Sequence, residues 1–214
     1  MDDVKEKCKR AFATHKATLI QDTDRYLIID WRRADGSSNY YVNYIVDKKR
    51  GSLIVSGDLG DSIATWYNPV NPAKLKNWVG NDIGYYIQKI QCASNIYCYN
   101  GEDIAAEIKS QLSCYDSEEL ISAYNEHIPS YLGVKTEAEL WEQIAADAYD
   151  CIYDDKFIPS EKIKDFCSEL DSDYWEWLYN CGREIHPSVY LWAAGFYMAC
   201  GQLGIYGSKY ELRN

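Results

Sequence analysis

Apolar and polar residues alternate at every second position over the first part of the chain. Leu27, Ile29 and Trp31 interleave with Tyr26, Asp30 and Arg32, and Tyr40, Val42, Tyr44 and Val46 interleave with Asn43 and Asp47. Successive side chains of a strand point to opposite faces, so this period of two marks strands with one buried side. The stretches ATLIQ, DRYLIIDWRR, NYYVNYIVD and SLIVSG are rich in β-branched and aromatic residues, and turn formers at Ala34–Ser38 and Lys48–Gly51 separate them. An antiparallel meander is therefore expected after a short helix over residues 3–14.

From Asn71 onward the period lengthens to that of a helix, at Ile83, Tyr86, Ile87 and Ile90, then Ile104, Ile108 and Leu112, then Leu140, Trp141, Ile144 and Ala148. Asn100-Gly101 marks a break, and Thr136 with Glu139 has capping-box spacing. Pro159-Ser160 and His186-Pro187 precede further helical patterns, giving about six helices after the sheet. Trp175, Leu178 and Tyr179 fit a core stripe at the same spacing. The fold class expected is α+β: residues 1–70 form an N-terminal helix and antiparallel sheet, and residues 71–214 an acidic helical region, either packed with the sheet or separate from it.

The stretch SGDLGDS, Ser56–Ser62, places two glycines and two aspartates directly after an apolar run. It lacks the Gly-Lys-Ser/Thr ending of a P-loop and the acidic spacing of an EF-hand. Glycine adopts positive φ at low cost and aspartate satisfies backbone donors at turns, so a bend between Leu53–Ser56 and Ile63–Tyr67 accounts for it. The catalytic alternative is a metal-dependent hydrolase using Asp58 and Asp61.

Composition narrows the class. The chain has 214 residues, 47% hydrophobic and 26% charged, enough for one sizeable core or two modest ones. No apolar segment follows the N-terminus, and the run Val189–Cys200 is shorter than the ~18 residues of a candidate span, so a soluble cytoplasmic protein is expected. Eight cysteines are scattered without a CxxC pair, and His15, His127 and His186 do not supplement them at ligand spacing. Cys151, Cys167 and Cys200 read as small buried hydrophobes, and no cofactor or metal is expected. Cys181, Glu184 and His186 offer a nucleophile, an acid and a base, but Pro187 makes His186 a helix cap rather than a catalytic base.

Charge changes the picture most. Residues 1–50 hold 11 Lys and Arg against 8 Asp and Glu, residues 51–100 hold 3 against 3, and residues 101–214 hold 8 against 22, a balance of −14. Carboxylates three or four residues apart share a helix face, and a row of them approximates a row of phosphates that a basic protein surface attracts. Glu137, Glu139, Glu142, Asp147, Asp150, Asp154, Asp155, Glu169, Asp171 and Asp173, with Tyr153 and Trp175 among them, are the expected partner-binding residues. Tyrosine and tryptophan add apolar area with a polar tip, as interfaces require. Arg32, Arg33, Lys48, Lys49 and Arg50 lie at the tips of the expected strands, where solvated turns are the first reading; contact with nucleic acid, helped by Tyr40, Tyr41 and Tyr44, is the alternative and not the expected function.

The segment Tyr40–Tyr67, with its tyrosine-rich strand, basic turn and SLIVSGDLGDS, resembles small accessory proteins of phages and mobile elements of gut bacteria, some of which are anti-CRISPR inhibitors of Cas9. No inhibitor residue is carried over onto this chain. The resemblance implies a host-defence antagonist that acts by binding and occupies a basic nucleic-acid channel. The expected function is thus a non-catalytic inhibitor of a nucleic-acid-handling effector, with Cas9, alone or with its guide RNA, as the basic partner. An immunity protein that masks a basic toxin is the alternative, since it needs the same surface.

Overall fold

The computed structural model describes residues 2–206. The chain divides into two compact units, one formed by Met1–Ile96 with His186–Asn214 and the other by Tyr97–Ile185.

The first unit opens with helix α1 (Asp2–Ala11) and the strands β1 (His15–Asp22), β2 (Tyr26–Arg33), β3 (Val42–Asp47), β4 (Ser52–Gly57) and β5 (Ser62–Thr65). Helices α2 (Pro72–Asn81) and α3 (Ile83–Ile87) follow, and then strand β6 (Ile90–Ala93). The six strands form one antiparallel sheet in chain order. The period-two pattern fixes its faces. Leu27, Val46, Leu53 and Ala64 pair in register across four strands, as do Ile29, Tyr44 and Val55 across three, and all are buried. The C-terminal helix Pro187–Gln202 belongs to this unit and buries Val189, Trp192, Phe196 and Ala199. Phe196 packs on Tyr44 at 5.3 Å between ring centroids, and the Tyr44 hydroxyl donates to the Trp192 carbonyl at 3.0 Å. Burying each such ring is worth about 1.5–3 kcal/mol. A Cβ at Gly195 would run into the Tyr44 hydroxyl and the Phe12 ring, so a glycine is needed where this helix meets the sheet. On the opposite face Ile28, Ile45, Ile54 and Ile63 form one row across four strands.

The second unit begins with β7 (Tyr97–Cys98) and helices α4 (Gly101–Gln111), α5 (Ser117–Glu126) and α6 (Glu137–Asp150). The hairpin of β8 (Ile152–Tyr153) and β9 (Lys156–Phe157) follows, then α7 (Glu161–Leu170), two short 3-10 turns and β10 (Glu184–Ile185), which pairs with β7. Ile104, Ile108 and Leu112 join Leu140, Ile144, Ala148, Ile163 and Phe166 in a separate core, as their helical period requires. Thr136 and Glu139 complete a capping box at α6, and Asp116 with Glu119 completes a second at α5.

The α+β class is therefore observed, with four differences from the sequence expectations. The units do not divide at residue 70, because β6 and the C-terminal helix both return to the sheet after the helical pattern has begun. Ile90 is a strand residue: α3 ends at Ile87, and pairing of β6 with β5 overrides the helical spacing. Tyr40 lies outside β3 at φ 57°, where its N–H donates to the Asp58 carboxylate at 2.9 Å. Of the expected stripe at Trp175, Leu178 and Tyr179, only Leu178 is buried, since this segment forms two separate 3-10 turns, Tyr174–Glu176 and Leu178–Asn180, rather than one helix with a continuous face.

Candidate functional site

Charge separates between the two units more sharply than it does along the sequence. Tyr97–Ile185 holds 21 Asp and Glu against 6 Lys and Arg, a balance of −15, and the rest of the chain holds 12 against 16, a balance of +4. Three of those six cations are engaged within the unit: Lys109 with Glu137 at 2.8 Å, Lys162 with Asp147 at 2.7 Å, and Lys164 with Glu161 at 2.7 Å.

Packing gathers one group of acids at one end of this unit. A Cβ at Gly101 would meet the Ala145 carbonyl and Tyr149, so glycine lets the start of α4 lie close against the last turns of α6. Glu102 and Asp103 follow Gly101 in the first turn of α4, and Asp150 follows Tyr149 at the end of α6, so this contact joins the two acidic helix ends. Asn100 caps α4 by accepting from the Asp103 N–H at 3.0 Å. Directly after α6 comes the hairpin, whose two-residue loop Asp154-Asp155 has φ of 48° and 54°. Positive φ at both central positions is the type I′ turn that matches the twist of two flanking strands. Phe157 anchors the hairpin in the core, 6.3 Å from the Tyr99 ring, while Tyr153 at the tip is 62% exposed and Tyr149 is 70% exposed. Cys98 reports the electrostatics: burial first, and then the charges of Glu184, Asp155 and Asp103, push its thiol up. Those three carboxylates therefore share one neighbourhood.

Other expected partner-binding residues are held elsewhere by internal bonds. Hydrogen bonds from Lys109, Ser117 and Trp141 hold the Glu137 carboxyl down at about 2, with the Lys109 charge adding to them. Glu139 accepts from the Lys135 and Thr136 N–H groups at 2.8 and 3.2 Å. Asp147 accepts from Tyr124 and Gln143 besides its ion pair to Lys162. Asp171 accepts from the Trp177 indole at 2.9 Å and from the Asp173 N–H at 2.8 Å. Glu142 and Asp173 are exposed, Trp175 is 59% exposed, and Glu169 converges with Glu126 and His127, their ligand atoms within 4.8 Å of one another. Helix α6 has 14 residues and is about 20 Å long, so Glu137 and Glu139 lie at the opposite end from Asp150. Asp150, Tyr153, Asp154 and Asp155 thus lie together along the chain at one end of α6, while Glu137, Glu139, Asp147 and Asp171 are engaged in capping, ion-pair and turn bonds. Glu102, Asp103, Tyr149 and Glu184 join the first group. The cap spacing Asn100–Asp103 and the paired aspartates between Tyr153 and Lys156 are the local signals for that end.

No family model, curated protein or solved structure matches this chain. Among the described residues no helix is long and apolar enough to cross a membrane.

The basic residues also separate. Arg32 and Arg33 end β2 beside Tyr41, whose ring lies 4.5 Å from the Arg32 guanidinium. Lys48, Lys49 and Arg50 form the turn at the far end of β3, six residues and about 20 Å away. They are not one cluster, and Tyr44 between them is fully buried. Lys48 bonds Asp22 at 2.6 Å, while the Lys49 and Arg50 N–H groups donate to Asp47 and fix the turn.

The SGDLGDS stretch is the hairpin turn between β4 and β5, with Gly57 at φ 145° and Gly60 at φ 88°. Asp58 accepts from Tyr40, and the Asp61 N–H donates to the Ser94 hydroxyl at 2.9 Å. Among the described residues neither aspartate belongs to a group of three convergent metal-ligating side chains. Burial holds the Cys181 thiol up at about 12, and His186 Nδ1 accepts from the Ser188 N–H as a helix cap at 3.2 Å.

Proposed function

We propose that this protein is a non-catalytic binder that inhibits a nucleic-acid-handling effector, an anti-CRISPR-type block of Cas9 being its most concrete form. The observation that carries the proposal is the −15 balance confined to Tyr97–Ile185, together with exposed Tyr149 and Tyr153 beside the Asp154-Asp155 turn. Carboxylates around the hairpin tip give a compact negative surface that repels nucleic acid and steers toward a basic groove, with an attraction that weakens as salt screens it. The two tyrosines supply area that can be buried against the groove wall. This surface is a concentrated end of the unit rather than a long row, so it fits a local basic pocket better than an extended channel.

The test is capture of guide-loaded Cas9 on the immobilised protein, followed by DNA cleavage at low and moderate salt. Retention with loss of cleavage, both weaker at higher salt, is expected. Unimpaired cleavage with no retained complex would remove Cas9 as the target. Retention of a basic toxin in its place would move the reading to an immunity protein.

A further inference from the structure

The first unit carries a second surface of opposite character, at the β3–β4 turn. Three backbone bonds close it: the Trp66 N–H donates to the Gly51 carbonyl at 2.8 Å, the Val70 N–H to the Lys48 carbonyl at 2.9 Å, and the Thr65 N–H to the Lys89 carbonyl at 2.8 Å. They bring the basic turn, the exit of β5 and the start of β6 to one corner. Aromatic rings collect there. Trp66 stacks on Trp78 at 6.4 Å with 26° between planes, and Trp78 meets Tyr85 edge-on at 6.3 Å. The Lys89 ammonium lies 4.9 Å from the centre of the Tyr85 ring.

Tyr67 is the decisive residue. It is 75% exposed and sits at φ 59°, a left-handed conformation that a bulky side chain avoids. Its hydroxyl donates to Gln91 Oε1 at 2.8 Å, which fixes the ring in position. A residue that holds a large ring in water while keeping a strained backbone gains nothing for the core, and strain of that kind concentrates at binding sites. The elements joined at this corner also carry exposed Lys49 and Arg50 in the basic turn, exposed Lys74 on α2 one helical turn before Trp78, and half-buried Lys89 directly before β6. Among the described residues none of these four has an ion pair to a carboxylate. Two acids lie nearby in sequence: Asp47 accepts from the Lys49 and Arg50 N–H groups and pairs with Arg25 at 3.2 Å, and Asp82 caps α3 by accepting from the Tyr85 N–H at 2.9 Å.

We infer that this corner binds single-stranded nucleic acid. Such a ligand offers two features together, flat bases that stack on exposed rings and phosphates that neutralise cations, and the corner presents both requirements within one turn-and-strand junction. An acidic peptide would use the cations but leave the rings without a stacking partner. Duplex DNA keeps its bases paired and out of reach. The negative excess of the chain does not oppose this assignment, because it belongs to Tyr97–Ile185, and the first unit has the +4 balance. The inference is independent of the acidic face and stands or falls without it.

The experiment is fluorescence anisotropy of the full chain with a labelled oligothymidylate of about 15 nucleotides, within the roughly 4–16 nucleotides that single-strand sites cover. Saturable binding at low salt is expected, with log Kobs falling against log salt at a slope of about −3 if four phosphates are neutralised. Tyr67→Gly removes the ring and relieves the backbone, so affinity should fall about tenfold while the melting temperature holds or rises. Arg50→Glu with Lys89→Glu should weaken binding and flatten the salt slope. Asp154→Asn with Asp155→Gly, on the acidic face, should leave oligonucleotide binding intact even if effector capture is lost. No anisotropy change at low salt would overturn the inference, as would equal affinity for duplex DNA, displacement by polyglutamate as effective as by unlabelled oligonucleotide, or binding that survives Tyr67→Gly and the double charge reversal.

Discussion

Replacing Asp154-Asp155 by Asn-Gly separates the folding role of the hairpin tip from its charge. Both aspartates hold positive φ, a conformation that costs an L-residue about 1–2 kcal/mol, less for aspartate, and nothing for glycine. Asn-Gly is the sequence that type I′ loops favour, so the backbone should relax without changing shape. The change also removes the Asp155 charge from beside Asp103 and Glu184, which act with it on Cys98. We expect a gain of about 1 kcal/mol and a melting temperature higher by roughly 2–4 °C for a chain of this size. Partner capture should move the opposite way. Loss of two carboxylates from a partly desolvated contact should cost about 1–3 kcal/mol, or roughly 5- to 150-fold in affinity. The assay pairs thermal unfolding with effector titration at two salt concentrations, and the difference between salts should shrink in the variant. A lower melting temperature would show that the aspartates stabilise the hairpin through bonds the turn geometry does not require. Unchanged capture and salt dependence would show that the tip is not the contact surface.

Three further outcomes follow from the packing. Burial lowers the pKa of His15 below its ordinary value of 6.5, against opposing hydrogen bonds to Tyr40 and Asn39, and its Nδ1 has no partner among the described residues. Its contribution is therefore complete above about pH 6.5 and is lost as acidification protonates the ring, so the melting temperature should drop more between about pH 7 and 5 than in His15→Gln. Gly195→Ala should lose about 1–2 kcal/mol in thermal unfolding as the C-terminal helix moves off Tyr44, despite alanine's better helix propensity, and Tyr44→Phe should recover part of the loss. Of the eight cysteines only Cys92 and Cys114 are exposed, so a thiol reagent should modify two quickly in the native protein and the buried Cys8, Cys151, Cys167, Cys181 and Cys200 only on unfolding.

The sheet was legible because its signal is local. Leu27, Ile29 and Trp31 alternate with polar neighbours whatever the rest of the chain does, and the same residues face the core. The return of β6 was not legible, since Ile83, Tyr86, Ile87 and Ile90 satisfy a helical period and only pairing with Ile63 and Ala64 makes Ile90 a strand residue. Burial of the Tyr44 ring between strand and helix likewise depends on Gly195, about 150 residues further along the chain. Periodicity carries what one element buries. It does not carry which distant element buries it.

Charge illustrates the same division for the candidate site. Counting acids located the negative half of the chain, because net charge is a sum and does not depend on packing. Choosing among those acids required knowing which of them had backbone or side-chain donors within reach. Glu139 and Asp171 are fixed by N–H groups, and Glu137 and Asp147 by lysines that the helix packing brings to them. Such carboxylates are already hydrogen-bonded or ion-paired within the fold, so a partner would have to compete with those bonds to use them. Asp150 and Asp154 have no such bond among the described residues, and both are exposed. A carboxylate's value to a partner thus depends less on how many acids surround it than on whether the fold has already claimed it.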